Sequence, residues 1–245
     1  MERTLIVLPT YEEALNIDEA LRRVRAAAPH VDVLVVDDNS PDGTADIARS
    51  VAADLGQIDV VVRARKDGLG NAYRHGFRIG FERGYEVLMQ MDADLSHAAA
   101  DIPRLLEKLD RGADLVIGSR YVPGGSVPHW AWYRRAMSRY GNRYACFVLG
   151  LSIHDATAGF RAYRADTLKA IDVFSTRAKG YGFQIETAYR VSRQSRALDE
   201  VPIVFTDRIR GASKMSPAVM SEEMLLVTWW GIRDRLLPQL RRRTK

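Results

Sequence analysis

The sequence predicts an α/β fold, a mainly parallel twisted sheet with helices on both faces. Three observations carry this. Short runs of Val, Ile and Leu alternate with segments of helical spacing roughly ten to fifteen residues long, as in consecutive βαβ units. The strand runs are almost continuously apolar, which suits strands buried on both faces. Each run also stops in a cluster of polar residues. In an open parallel sheet, such clusters share the rim outside the carboxyl ends of the strands, where ligands bind.

The elements follow in order. TLIVL (4–8) is a buried strand, and 13–28 is a helix with Leu15, Ala20, Leu21 and Val24 at helical spacing, with Asn16 and Glu19 as a capping box inside its start. VDVLVVDD (31–38) is the second strand and 44–56 a helix ending at Gly56. IDVVVR (58–63) is the third strand, 71–83 a helix, YEVLMQM (85–91) the fourth strand, 101–111 a helix and ADLVIGS (113–119) the fifth strand. A Pro/Gly loop over 121–130 then breaks the pattern. Beyond it come helices over 131–150 and 183–194, strands near 159–164 and 198–205, and a last helix over 217–237. There is no internal repeat and no clear linker. The expected organisation is one catalytic unit over 1–216, followed by an amphipathic, basic helical segment over 217–245 that either packs on that unit or associates with a membrane.

Composition narrows the function classes. With 245 residues, 47% of them hydrophobic, the chain can bury a sizeable core and is not a disordered protein. Its one cysteine, Cys146, permits no internal disulfide, which fits a cytosolic or cytosol-facing protein. MERTLIVLPTYEE lacks the pattern of a secretory signal, because its apolar run is short and acids follow at once. No stretch approaches the ~20 apolar residues of a membrane span. The net charge is +5, yet residues 208–245 hold nine Lys/Arg against three Asp/Glu, so the basic character belongs to the C-terminal segment. Nucleic acid and an anionic membrane surface are both possible partners for it.

The rim clusters hold the chemistry. The first strand runs into Pro9-Thr10-Tyr11-Glu12-Glu13, and the second into Asp37-Asp38-Asn39-Ser40-Pro41-Asp42-Gly43. The third leads to Lys66-Asp67-Gly68-Leu69-Gly70, the fourth to Asp92-Ala93-Asp94 and the fifth to Ser119-Arg120. Residues i and i+2 of a strand point the same way, so Asp92 and Asp94 can both face the rim. Paired carboxylates of this kind suit Mg²⁺ or Mn²⁺, with substrate phosphates completing the shell. An isolated D-x-D is more often a pair of solvated strand-end acids. Here the preceding hydrophobic strand and the neighbouring DDNSPDGT weigh towards a metal. Ser-Pro-Asp-Gly is ordinary turn chemistry, with Asp42 as a helix cap. Asp37 and Asp38 end a Val-rich strand, where unsatisfied acids are costly, and Asp38 is the better candidate to face a nucleotide. Neither G-x-x-x-x-G-K-[ST] nor G-x-G-x-x-G occurs, which argues against a P-loop NTPase and a standard dinucleotide-binding dehydrogenase.

LPTYEE, VVDDNSPDGT, KDGLGNAYRHG, MDADLSH, IGSRYVPGG, DATAGFRAYR, KGYGFQIE and EVPIVFTDRIRGASKM stand in an order that resembles the polyprenol-phosphate mannose synthases of glycosyltransferase family 2. The resemblance covers residues 4–216. It implies the GT-A (nucleotide-diphospho-sugar transferase) fold, a GDP-mannose donor, a polyprenyl (dolichyl-type) phosphate acceptor and metal dependence on Mg²⁺ or Mn²⁺. By the same resemblance, Pro9, Tyr11, Glu13, Val36 and Asp38 cradle the nucleoside. Asp92, Ala93 and Asp94 hold the metal and diphosphate, and Arg120 contacts phosphate. Arg208 and Lys214 cover the donor diphosphate, and Arg134 meets the acceptor phosphate, with Arg135 and Arg139 as competing positions. The residues expected to act on the reacting groups are thus Asp92, Asp94, Arg120 and Arg134. Asp155 either positions sugar or acceptor, or merely forms a turn. The expected setting is peripheral, on the cytoplasmic side of a membrane, with an integral-membrane partner subunit as an option.

Two departures stand out. Ser96 occupies the position where some relatives carry a metal-ligating Gln, and the C-terminal spans of some relatives are absent. The rival activities are a UDP-glucose-dependent polyprenyl-phosphate glucosyltransferase and a metal-dependent nucleotidyltransferase, which should carry a Gly-rich basic loop where PTYEE is acidic. A nucleic-acid binder would explain the basic end but not the rim of acids, so no nucleic acid is expected as a partner.

Overall fold

The computed structural model describes residues 2–178, 180, 182–207 and 217–236. Seven strands form one sheet: β1 (Thr4–Thr10), β2 (Asp32–Asp37), β3 (Ile58–Val62), β4 (Val87–Gln90), β5 (Leu115–Ser119), β6 (Arg161–Arg164) and β7 (Leu198–Pro202). Their spatial order is β3-β2-β1-β4-β6-β5-β7. The strands β1, β2, β3 and β4 pair in parallel. β6 runs antiparallel to both β4 and β5, and β7 is parallel to β5. Six strands therefore point one way, and the first five carboxyl ends share one rim, as the sequence predicts. The strand order reverses at β1, which opens a crevice between β1 and β4.

Side-chain alternation divides the interior in two. Leu5, Val7, Leu34 and Val36 face one core, with Tyr73 and Phe77 of α3 (Leu69–Glu82), Leu149 of α5 (Trp132–Leu149) and Phe183 of α7 (Gly182–Arg193). Ile6, Leu8, Val33 and Val35 face the other, with α1 (Ile17–Ala27), α2 (Thr44–Leu55) and α4 (Ile102–Asp110). Both faces of the central strands are thus covered, which is why their sequences show no polar alternation.

Several details differ from the sequence expectation. The first helix starts at Ile17, because the Glu13 carbonyl accepts from the backbone N–H groups of Asn16 and Ile17 and closes a turn before it. The capping box does not form: Asn16 donates instead to Glu13 Oε2 at 2.8 Å, and Glu19 pairs with Arg23. A short helix, α6 (Ala165–Ala170), follows β6 directly with no sequence gap. The last predicted strand ends at Pro202 and continues as a single bridge between Val204 and Ser126.

The final helix, α8 (Pro217–Leu236), packs on α5 and α7. Val227 is buried, and Trp230 stacks on Tyr189 with ring centroids 6.2 Å apart. Leu225, Trp229 and Ile232 stay exposed. No helix among the described residues is long and apolar enough to cross a membrane. Cys146 lies half-buried on α5, and burial pushes its thiol up to about 11. Iodoacetamide at neutral pH is therefore expected to alkylate it slowly in the native protein and fast in denaturant. Rapid native labelling would contradict that burial.

Candidate active site

The rim is built from loops that tie one strand end to the next. Asp37 is consumed structurally: it accepts from Thr10 Oγ1 at 2.8 Å and from the Ser40 N–H and hydroxyl at 2.8 and 2.6 Å. Asp42 accepts from the Thr44 N–H and hydroxyl at the start of α2 and from the Ala14 N–H, although the N-cap itself is Gly43 and not Asp42. Both loops are thereby fixed around the neighbouring residue, Asp38.

Asp38 accepts from Arg63 at 2.7 Å, and Arg63 also pairs with Asp67. Burial raises the Asp38 carboxyl above its ordinary range, against the opposing pull of Arg63. Lys66 stands 3.9 Å over the Tyr11 ring. Pro9 and Val36 are register partners on β1 and β2, and Glu13 is buried beneath this corner, where its N–H donates to Thr44 Oγ1. The five residues assigned to the nucleoside therefore gather at one end of the rim. Arg63 escaped the sequence reading, although a lone arginine closing a Val-rich strand on the same rim as Asp38 was a usable signal.

Non-glycine residues with left-handed backbone fall just past the ends of β1, β2 and β4: Glu12 (φ 55°), Asn39 (φ 59°) and Leu95 (φ 65°). For a residue as bulky as Leu95 this conformation is strained, and such strain concentrates at functional sites. The Asp92–Ser96 turn is held from every side. Asp94 Oδ1 accepts from the Ser96 N–H and hydroxyl at 3.1 and 2.5 Å. The Asp92 N–H donates to His97 Nδ1 at 3.2 Å, which requires that nitrogen to be unprotonated. Tyr73, whose phenol burial pushes well above its usual range, donates to Asp92 Oδ1 at 3.3 Å. Thr206 closes the turn through its N–H to the Ser96 carbonyl and its hydroxyl to the Leu95 carbonyl.

This turn fits a divalent cation. Gly159 lies against the Asp92 carboxylate: a Cβ added there would stand 3.5 and 3.7 Å from its two oxygens, in ordinary contact. The donors are hard oxygens, and no group of three or more His, Cys, Asp or Glu suited to a metal occurs among the described residues. Asp92 and Asp94 would therefore hold Mg²⁺ or Mn²⁺ together with phosphate oxygens and water. Ser96 orients Asp94 through both of those bonds.

Beyond β5, Arg120 is a buried residue gripped by Asp155. Its Nε and Nη2 donate to the two carboxylate oxygens at 2.7 Å each, its backbone N–H adds a third bond at 3.0 Å, and Nη2 also reaches Thr157 Oγ1 at 2.7 Å. Tyr121, Trp130 and Phe205 rings surround the guanidinium at 5.3–5.7 Å. Burial pushes the Asp155 carboxyl up, but the charge and hydrogen bonds of Arg120 outweigh it and leave the group below the usual range. Asp155 is thus a positioning residue for Arg120 and not a simple turn former. The fully buried Arg161 donates to the Ala156 and Ala158 carbonyls and to the Gln184 carbonyl, which staples the segment presenting Asp155 and Gly159 to α7.

Arg134 also stacks on Trp130, 4.1 Å from its centroid, and pairs with Asp207 at 3.0 Å. Arg135 and Arg139 point outward as exposed residues, which favours Arg134 among the three positions. Arg208 and Lys214 lie outside the described residues.

The rim of acids thus lies at a strand-order switch point, beside the D-x-D turn and two arginines set against aromatic rings. The chain belongs to glycosyltransferase family 2, whose model, "Glycosyl transferase family 2", matches residues 5–172. It is 50% identical over 236 residues to the polyprenol monophosphomannose synthase of Mycolicibacterium smegmatis, covering 96% of this chain and 89% of that one. To the undecaprenyl-phosphate mannosyltransferase of Micrococcus luteus it is 51% identical over 233 residues, 95% and 96% of the two chains. Its fold matches, at TM-score 0.61 and 15% identity, a mannosyltransferase from Pyrobaculum calidifontis solved with GDP-Man and Mn²⁺, over 94% of this chain and 72% of that one. The sheet and its crossovers are those of a GT-A glycosyltransferase.

Proposed function

We propose that the protein transfers mannose from GDP-mannose to a polyprenyl phosphate, with inversion, as a peripheral enzyme on the cytoplasmic side of a membrane. The observation that carries this is half-identity along nearly the whole chain to two enzymes named for that lipid-phosphate chemistry. The acid-lined nucleoside corner, the D-x-D turn and the two ring-flanked arginines supply a place for each substrate group.

Asp38, Tyr11 and Glu13, with Pro9 and Val36, bind the guanosine, and Asp92, Ala93 and Asp94 take the diphosphate end. Asp92 and Asp94 would hold a divalent cation there, and that ion would supply charge neutralisation for the diphosphate. Arg208 and Lys214 add cationic charge to the departing GDP; Arg208 directly follows Asp207, the partner of Arg134. Arg120 and Arg134 bind and orient phosphate. The nucleophile is an oxygen of the acceptor phosphate, whose second pKa lies near ~6, so it is already anionic at neutral pH and needs no strong general base. The work left to the protein is to hold two anionic groups in line, which is what fixed guanidinium groups do. The acceptor oxygen bonds to the anomeric carbon while the bond to the GDP oxygen breaks, so an α-linked donor gives a β-linked product.

Calorimetric titration tests the donor side. GDP is expected to bind at least about tenfold more tightly than UDP, and chelation should weaken it. Equal affinity for both nucleotides would point to the glucose-transferring alternative.

A further inference from the structure

We propose that the outer face of α5, continued by α8, is the surface on which the protein sits on an anionic lipid bilayer. The inference rests on a polyprenyl acceptor, as argued above, and centres the docking on a helix inside the catalytic unit, with α8 beside it.

The exposed apolar residues are concentrated there. Fourteen large hydrophobic residues are exposed among those described, and ten of them lie on α5 and α8. On α5, Tyr133, Met137, Tyr140, Tyr144 and Phe147 recur at intervals of four and three, so they form one stripe along the helix. Tyr140 is 71% exposed and Phe147 75%. A helix stripe of this spacing ordinarily packs inward. Here the inward side is a different one: Asn142 bonds Thr157 through its amide nitrogen and oxygen, Ala145 and Leu149 enter the core, and Tyr121 bonds Ser138.

A row of cations flanks the stripe. Arg135, Arg139 and Arg143 recur every four residues and are all exposed, while α5 contains no acid. Aromatic residues beside arginines, with no carboxylates, match an anionic lipid interface: rings enter the headgroup boundary and guanidinium groups meet phosphate. A second copy of the chain would bring an equally cationic face, which disfavours self-association. Nearby, α8 adds Leu225, Trp229 and Ile232. The two helices are locked together, because a Cβ at Gly231 would come within 2.3 Å of Val148, and Tyr144 bonds Thr228 at 2.8 Å. Since Arg134 opens α5 and Asn142 holds the Arg120 cluster, a bilayer under this face would lie beside the proposed acceptor-phosphate groups.

The test uses the full chain and two variants: Y133S/M137S/Y140S, and R135Q/R139Q/R143Q. Each is sedimented with vesicles of phosphatidylcholine alone or mixed with phosphatidylglycerol. The apolar variant should lose at least about tenfold in partitioning to the mixed vesicles. The arginine variant should lose roughly a hundredfold on the mixed vesicles and little on the neutral ones. The apolar variant should still transfer mannose to a short-chain, water-soluble prenyl phosphate within about twofold of the parent, while transfer to vesicle-borne undecaprenyl phosphate falls. Parent-like vesicle binding by both variants would overturn the inference, as would a parent dimer that the apolar variant abolishes. Failure of the parent to use either acceptor would instead strike the proposed function, and the sedimentation result would still stand.

Discussion

Asp94→Asn will leave the protein folded and reduce mannose transfer by about a thousandfold or more. The carboxylate is 3% exposed, and its Oδ1 accepts two bonds from Ser96 that an amide oxygen can keep. The substitution is nearly isosteric, so the turn should survive with its Leu95 strain intact. What disappears is a negative charge at the proposed meeting place of a divalent cation and the diphosphate. Metal-assisted stabilisation of a leaving phosphate contributes several kcal/mol, and each ~1.4 kcal/mol is tenfold in rate. Circular dichroism and thermal melting check the fold, and turnover checks the chemistry. Near parental turnover in a folded Asp94→Asn protein would remove the D-x-D turn from the mechanism.

Asp155→Ala will destabilise the fold strongly. It strands Arg120, a buried guanidinium that loses its bidentate partner and a backbone bond in one step. Removing one partner of a buried pair costs about 3–5 kcal/mol, which for a chain of this size lowers Tm by roughly ten degrees. The pH dependence carries the same signature. The Asp155 carboxyl is held below its ordinary range, so its contribution is full above that range and is lost as the pH falls from there through the lowered folded-state value. The parent should lose stability on acidification more steeply than Asp155→Asn, which has no such group to protonate. If Asp155 positions Arg120, Asp155→Asn should also raise the acceptor KM more than it changes the donor KM, a split that a purely structural role would not produce. Identical melting of Asp155→Ala and parent would contradict the pair.

Much of this was legible before any coordinates. The apolar strands and the helices between them follow from side-chain period, and the direction shared by β1–β5 brings their polar ends together as expected. The antiparallel sense of β6 was not legible, because RAYR is too short to declare a direction. α6 was missed for a related reason: its six residues follow β6 with no turn signal between them. The grip of Asp155 on Arg120 spans 35 positions of sequence, and only the pairing of β5 beside β6 makes them neighbours. Likewise, Arg63 reaches Asp38 because β3 lies against β2. The capping box failed because Asn16 found a nearer acceptor in Glu13. Local chemistry thus placed the strand ends, while the pairings across them needed the sheet order.

The most direct test of the central claim incubates the purified protein with undecaprenyl phosphate and either labelled GDP-mannose or labelled UDP-glucose, with Mn²⁺ or with a chelator. The account predicts label in the organic phase from GDP-mannose alone, only when metal is present, and in a β-linked product. Transfer from UDP-glucose, or metal-independent transfer from GDP-mannose, would contradict it.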